Sequence, residues 1–327
     1  MVAVVAFAGG MFGFGAGAAF LAGGAAFGGW VAGAAFGSTI IGSLAVKLLT
    51  TVAISALTGA LAPDPPQGGG ITISTPVRGE QNPETIILGK YATAGQAICP
   101  PYSHGRSNRY LTHVLELCSA PGAKLERVMI GDKWVTLAPT PDGDFGYRVQ
   151  GDYNGLIWVK YYDGTQTTAD PYLMDRYGSH PDRPWTADMV GAGICYAIMT
   201  FKFDQEDQTS VPRYRFELSG LPLYDPRKDG SAGGVGSHRL ANPATWETTE
   251  NAAVIGWNVM RGIPLPGGEV WGGNIADLSE LPWSVWTAAM NRCDAAITLS
   301  GGGTEPAYRA GLEVALDQPP AAALEEV

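Results

Sequence analysis

Charge is what the opening of this sequence lacks. Of the 327 residues, the first charged one is Lys47 and the first acidic one is Asp64. A cleavable secretory leader carries basic residues ahead of a short apolar core, so the missing Lys and Arg before Lys47 speak against one. Basic charge is scarce along the whole chain. Lys and Arg number 21 against 31 Asp and Glu, for a net charge of −10, and charged residues make up only 16%. A nucleic-acid surface needs a Lys/Arg stripe facing phosphates, and this composition excludes sequence-reading contacts of that kind. Cysteine is sparse too: Cys99, Cys118, Cys195 and Cys293 stand far apart with no C-x-x-C pair. They read as reduced thiols of a protein assembled in a reducing cytoplasm, with disulfides as the alternative. His104, His113, His180 and His238 fall in different segments without ligand spacing, so no metal site is expected. The H-E-x-x-H, G-x-S-x-G and G-x-x-x-x-G-K-[ST] motifs do not occur. The reading is of no catalytic residue, no metal and no cofactor.

What is abundant is glycine, with 45 residues, and proline, with 23. Much of the glycine lies in the uncharged stretch "AGGMFGFGAGAAFLAGGAAFGGWVAGAAFG" at 8–37. Its length suits a membrane-spanning helix or hairpin. Positive flanking charge is missing, however, and each Gly weakens an isolated helix by up to about 1 kcal/mol relative to Ala. The spacing supplies a further reading. Gly9, Gly13 and Gly17 are four apart, as are Gly29, Gly33 and Gly37. Such ladders lay a flat stripe on one helical face and let backbones approach closely. Residues 1–62 are therefore read as an apolar Gly/Ala-rich helical leader built to pack against copies of itself or a partner, in lipid or inside a protein channel.

"LAPDPPQGGG" (61–70) ends that leader, with 63–70 as a Pro/Gly hinge. Short segments rich in β-branched and aromatic residues follow, among them 71–77, 84–95, 111–120, 125–137, 155–164, 193–204 and 213–225. Turn residues separate them closely, which predicts antiparallel sheet. In "RYRFELSG" the residues Tyr214, Phe216 and Leu218 alternate with Arg213, Arg215 and Glu217, giving one buried and one wet face. Helix signals return late. Asn242 with Pro243 predicts a helix start and Gly262 its stop, and a second helix is expected over 281–297 behind Pro282. The fold class is α+β, mostly β, with no βαβ alternation. The divisions are 71–240 as β-rich domains and 241–327 as an α+β domain.

Three charged stretches invite chemistry. "DRYGSHPDRPW" (175–185) gathers Asp175, His180 and Asp182 but reads as a solvated, Pro-bounded loop rather than an acid–base site. Cys99 and His104 lie five apart in a Pro-rich loop, a weak nucleophile–base pairing. "YDPRKDG" (224–230) reads as a structural turn closing a strand. In it Asp225, ahead of Pro226, caps Arg227 or backbone amides.

That turn belongs to a set of five stretches, which occur in this order: "NPETIILGKYATAG" (82–95); "RYLTHVLELCSAPGAKLERVMIGDKWV" (109–135); "YYDGTQTTADPYL" (161–173) with "WTADMVGAGICYAIMTFKFD" (185–204); "VPRYRFELSGLPLYDPRKDG" (211–230); and "NRCDAAI" (291–297) with "EPAYRAGLEVAL" (305–316). Together they resemble the central tail-tip hub proteins of long-tailed phages, the family of the lambda-type host-specificity protein J. The likeness is to the version found in phages and gene transfer agents of alphaproteobacteria, and it covers about 70–325. The resemblance implies a non-enzymatic structural virion protein with baseplate-hub-like β domains. It implies a homotrimer that closes the tail tube at the tail tip and is assembled in the host cytoplasm. Its implied partners are the distal tail protein, the tape measure protein and other tail-tip and receptor-binding proteins, in support of host attachment and DNA ejection. The apolar leader, residues 1–62, is expected to lie in the tail lumen against the end of the tape measure or to enter the host membrane. Family chains run on for hundreds of residues, so a C-terminal receptor-binding part is expected to be absent here or separately encoded. Two other classes stay open. One is a membrane-anchored cell-surface binding protein; the other is a tail-associated cell-wall hydrolase, which needs paired carboxylates or a Cys/His pair.

Overall fold

β-Branched and aromatic residues between closely spaced turns give sixteen short strands among the described residues. They are β1 (Thr85–Thr93), β2 (Gln96–Ala97), β3 (Tyr102–His104), β4 (Tyr110–Cys118), β5 (Lys124–Ile130), β6 (Lys133–Val135), β7 (Leu137–Pro141) and β8 (Tyr147–Val149), then β9 (Ile157–Asp163), β10 (Cys195–Lys202), β11 (Tyr214–Ser219), β12 (Ile263–Pro264), β13 (Val270–Trp271), β14 (Ala296–Thr298), β15 (Thr304–Pro306) and β16 (Gly311–Ala315). Among the described residues four short helices interrupt them: α1 (Pro171–Tyr177), α2 (Ala252–Arg261), α3 (Trp283–Cys293) and α4 (Pro320–Glu326). The computed structural model describes residues 82–204, 210–273, 275 and 277–327. The expected leader with its glycine ladders (Gly9, Gly13, Gly17, Gly29, Gly33, Gly37), the hinge 63–70 and the strand expected at 71–77 lie outside the described residues. Among the described residues no helix is long and apolar enough to cross a membrane.

The class is α+β, mostly β. Of the two larger sheets, one has five strands in the order β16-β1-β11-β5-β6 and the other seven, β2-β4-β10-β9-β8-β7, with β3 beside β4; β12–β13 and β14–β15 form two-stranded ribbons. All the pairings are antiparallel. β1 serves two partners in turn. Residues 85–89 pair with β16 and residues 90–93 with β11. The changeover falls at Gly89, whose φ of +71 and close approach to Ala310 leave no room for a Cβ. The five-stranded sheet therefore takes strands from both sides of the 240/241 division drawn from the sequence.

Side-chain alternation stacks the layers. On β10, Ala197, Met199 and Phe201 face inward and meet Ile87, Val128, Phe216 and Leu218 of the five-stranded sheet. Tyr196 and Ile198, on the opposite face, meet Tyr172, Leu173 and Tyr177 of α1. A further cluster joins Val254, Ile255, Trp257 and Val259 of α2 to Ile86, Leu88, Leu312 and Val314. Each fully buried large apolar side chain contributes roughly 1.5–3 kcal/mol relative to exposure. The alternation expected in "RYRFELSG" holds on β11, where Phe216 and Leu218 are buried and Arg215 is exposed.

The expected helix from Asn242 to Gly262 starts later than its cap signal suggests. Asn242 caps only a 3-10 turn, Pro243–Thr245, and the helix begins at Ala252 behind a second cap, Asn251, before ending at Gly262. The intervening Thr-rich segment is drawn into other bonds. Glu247 bridges Leu223 of the chain leaving β11, Trp246 Nε1 donates to the Arg239 carbonyl, and Thr245 Oγ1 accepts from Arg239 N–H. α3 starts behind Pro282, which occupies the N-cap position.

Candidate functional site

After β11 the chain passes under α2 and reaches Tyr224, where the charged turn begins. Asp225 has extended backbone angles and caps a 3-10 turn, Pro226–Lys228. Its Oδ1 accepts the Arg227 backbone N–H at 2.9 Å. The Arg227 guanidinium folds back onto the same carboxylate, with Nε 3.0 Å from Oδ1 and NH2 2.6 Å from Oδ2. From its other edge, NH1 reaches Asp294 Oδ2 at 2.7 Å and Asn291 Oδ1 at 3.0 Å, at the C-terminal end of α3. Charge-assisted, forked bonds of this kind are both stronger and more directional than neutral ones. The bond to Asp225 is the main reason that the Arg227 guanidinium titrates above its ordinary range.

Asp229 makes a second fastening four residues on. It accepts from Ser231 N at 2.8 Å, Ser231 Oγ at 2.6 Å, Tyr224 OH at 2.8 Å and Arg239 NH1 at 3.2 Å. The Ser231 and Tyr224 bonds hold its carboxyl down at about 2. The backbone of Tyr224 is gripped by Asn258 of α2, which accepts from Tyr224 N–H and donates to its carbonyl. The Tyr224 ring packs against Trp246, Trp257 and Trp283, with centroids 5.5–6.1 Å away. His238 closes the set: its Nδ1 accepts from Asp225 N–H at 3.1 Å, so the proton sits on Nε2, which is buried and makes no hydrogen bond. Burial lowers its pKa from the ordinary value. Gly234 lies against this turn, and a Cβ there would overlap the carbonyl oxygens of Pro226 and Arg227. Both carboxylates are thus occupied by donors belonging to the fold, and the turn fastens β11 to α2, α3 and the 229–247 loop.

The other stretches that invited chemistry separate. Cys99 sits beside Tyr102, and burial raises its thiol pKa. His104 Nδ1 lies 2.8 Å from Tyr177 OH, and its ring stacks on Tyr110. The two residues are engaged with different partners and do not form a nucleophile–base pair. The loop 175–185 is pinned, in part, rather than freely solvated. His180 Nδ1 accepts from Arg183 N–H, Arg183 donates to the carbonyls of Pro100 and Pro101 and lies over the Tyr102 ring, and Trp185 is buried. This loop forms one wall of a cavity of about 590 Å³ lined by Ile98, Tyr102, Trp185, Met189 and Tyr196. A second, shallower cavity of about 460 Å³ is lined by Ala123, Tyr161 and Gln166. Among the described residues no three His, Cys, Asp or Glu side chains converge as metal ligands.

Reasoning from the sequence passed over one buried ion pair. Asp170 is fully buried and takes Lys160 Nζ at 2.7 Å, Tyr162 OH at 2.5 Å and Leu173 N–H at 2.8 Å. It caps α1, with Pro171 in the first turn. The Asp-Pro step in "TADPYL" was the available signal. Asp225 and Asp170 share a device, an aspartate ahead of proline whose carboxylate is shared between a backbone N–H and a cationic side chain.

No protein-family model matches the chain, and no curated protein matches it. Among solved structures, a chain of the virion of a native gene transfer agent particle is similar, at a TM-score of 0.38 and 13% identity. That similarity covers 88% of this chain, which spans 60% of the length of the other.

Proposed function

We propose that this chain is a structural virion protein, the trimeric central hub of a phage-type tail tip. It closes the tail tube, contacts the tape measure and the distal tail ring, and supports host attachment and DNA ejection without catalysing a reaction. One observation carries this reading, namely where the five family-like stretches fall. They supply β1, β4 to β6, the end of β9, the start of α1, β10, β11 with its fastened turn, and β16. These elements include the central strands of both sheets and the turn that ties them to the helices. Function has to be argued from a site, and these stretches bring no reactive cluster together among the described residues, which supports a structural reading. Acidic character and the scarcity of Lys and Arg suit a protein that meets other proteins and leaves nucleic acid unread.

The test uses particles from a producing host. A gold-labelled antibody against this chain is expected to mark the distal end of the tail in electron micrographs. Light scattering of the purified chain is expected to give three times the chain's 34.3 kDa mass. Label on the head, label absent from particles, or a monomer at high concentration would overturn the proposal.

A further inference from the structure

β4 and β10 are neighbours within the seven-stranded sheet, and their register sets Cys118 directly opposite Cys195. Antiparallel partners have Cα atoms about 4.5–5.5 Å apart, inside the roughly 4.4–6.8 Å that a disulfide spans. Both side chains enter the same apolar cluster with Ala120 and Ala123, so they share one face of the sheet. The ladder shifts between Cys195 and Tyr196, with Leu117 as the extra residue on β4. Such a bulge gives the strand local play in which a new crosslink can settle.

The two sulfurs already interact. Each thiol shifts the other's titration, and the Cys195 thiol points to the Ala120 carbonyl at 3.2 Å. The neighbouring Cys195, then burial, pushes the Cys118 thiol up. The neighbouring Cys118 is the main reason that the Cys195 thiol is brought down despite burial. A sulfur with more thiolate character is the better attacker. The Tyr161 hydroxyl donates to Ala123 O at 2.7 Å, on the carbonyl side of the pair. Tyr161 and Ala123 both line the cavity of about 460 Å³.

We propose that Cys118 and Cys195 form a dithiol site for hydrogen peroxide, which converts them to an intrachain disulfide tying β4 to β10. The Cys195 thiolate attacks one peroxide oxygen, the O–O bond breaks, and the departing hydroxide takes up a proton to become water. Cys195 is then a sulfenic acid. The Cys118 sulfur attacks the Cys195 sulfur, and the displaced hydroxide takes the Cys118 proton and leaves as a second water. Two thiols and one peroxide thus give one disulfide and two waters, the sulfurs losing the two electrons that the peroxide oxygens gain. Cys99, beside Tyr102, and Cys293, at the end of α3, stay outside the reaction.

The test treats the reduced full-length chain with hydrogen peroxide, then denatures, alkylates and digests it for mass mapping. A linked Cys118–Cys195 peptide is expected, reversible by dithiothreitol. The thiol count in denaturant should fall from four to two, with Cys99 and Cys293 still alkylated. In Cys118→Ser the attacker should accumulate as a sulfenic acid that dimedone labels at Cys195. Oxidation of Cys99 or Cys293 ahead of the pair, or sulfinic acid at Cys195 without a linked peptide, would overturn the proposal. Should Cys118→Ser fail to fold, the wild-type peptide map decides alone.

Discussion

The turn Tyr224–Gly230 and the ribbon β14–β15 are both short, both rich in turn residues, and both next to a point where a regular element ends. In the turn, Asp225 and Asp229 are nearly buried and each carboxylate accepts several donors. In the ribbon, Ala296, Ile297 and Thr298 are exposed, and so are Leu299 and Tyr308 beside it. The ribbon pairs over three positions and is tied back to the end of α3 by Ala307 N–H to Ala295 O and Tyr308 N–H to Cys293 O. A two-stranded ribbon by itself is marginally stable. The two buried carboxylates of the turn gain rigidity because each is satisfied by several donors together, and the loss of one partner exposes the rest to an unmet desolvation cost. The ribbon holds little that its own fold depends on, which leaves its apolar side chains available for contacts outside the chain.

The sharpest way to break this contrast is at Gly234. Any Cβ there meets backbone oxygens of Pro226 and Arg227 that have no rotamer to move away with. Gly234→Val is expected to cost about 4 kcal/mol or more, among the larger effects of single substitutions. Urea unfolding checks it, and a midpoint like that of the parent would show that the turn yields easily.

Next in size is the Asp225–Arg227 pair. Asp225→Ala removes a cap and leaves a half-buried guanidinium with only Asp294 and Asn291, for an expected loss of roughly 3 kcal/mol. Arg227→Ala should cost less than Asp225→Ala, because Asp225 keeps its bond to a backbone N–H. A double-mutant cycle should show the two losses to be far from additive. By contrast, Lys228–Glu247 is largely exposed, and its removal should change stability by less than about 1 kcal/mol.

How far these features could be read ahead of the coordinates depends on the range of the interaction that makes them. The strands were legible because alternation on β11 and the β-rich run of β10 are local patterns. The cap at Asp225 was legible for the same reason, since Asp ahead of Pro biases its own backbone. Asn242 misled because a cap signal states only that some turn begins. Whether the turn propagates was decided by Glu247 bridging to Leu223, a contact with a distant segment. The apposition of Cys118 and Cys195 was illegible, since strand order in a sheet is set by packing between remote segments. Asp170 with Lys160 had half a signal, the Asp-Pro cap, while the cation comes from the strand before it.

Acid sharpens the comparison further. His238 accepts from Asp225 N–H only when Nδ1 is bare, and its folded pKa lies below the ordinary 6.5. A histidine with a depressed folded pKa takes up its proton first in the unfolded state. Its contribution is therefore present above about pH 6.5 and declines as the pH falls toward the folded value. His113, buried between Phe201 and Tyr214 and lowered to about 4 by burial, has the same sign over the window from 6.5 down to 4. Thermal melts from pH 7.5 to 4.5 should show falling stability. His238→Gln should flatten only part of the slope, His113→Gln another part. A slope unchanged in both variants would assign the acid sensitivity elsewhere.

The smallest effect is expected at the ribbon. Replacing Ile297, Leu299 and Tyr308 together with Ser removes apolar side chains that are 40–53% exposed. Surface changes away from buried networks usually fall within about 0.5 kcal/mol each, so the melting temperature should move by no more than a few degrees. Far-ultraviolet circular dichroism should be unchanged. If the chain is a hub that assembles with copies of itself and other virion proteins, exposed apolar residues on a weakly anchored ribbon are where contacts between chains would show. The triple variant should then keep its fold while losing self-association in light scattering. A large drop in melting temperature would mean that the ribbon is part of the core after all, and the contrast with the Asp225 turn would fail. Unchanged stability together with unchanged association would leave the contrast intact and move the search for the contact surface to other exposed side chains, such as Trp134 on β6 and Val285 on α3.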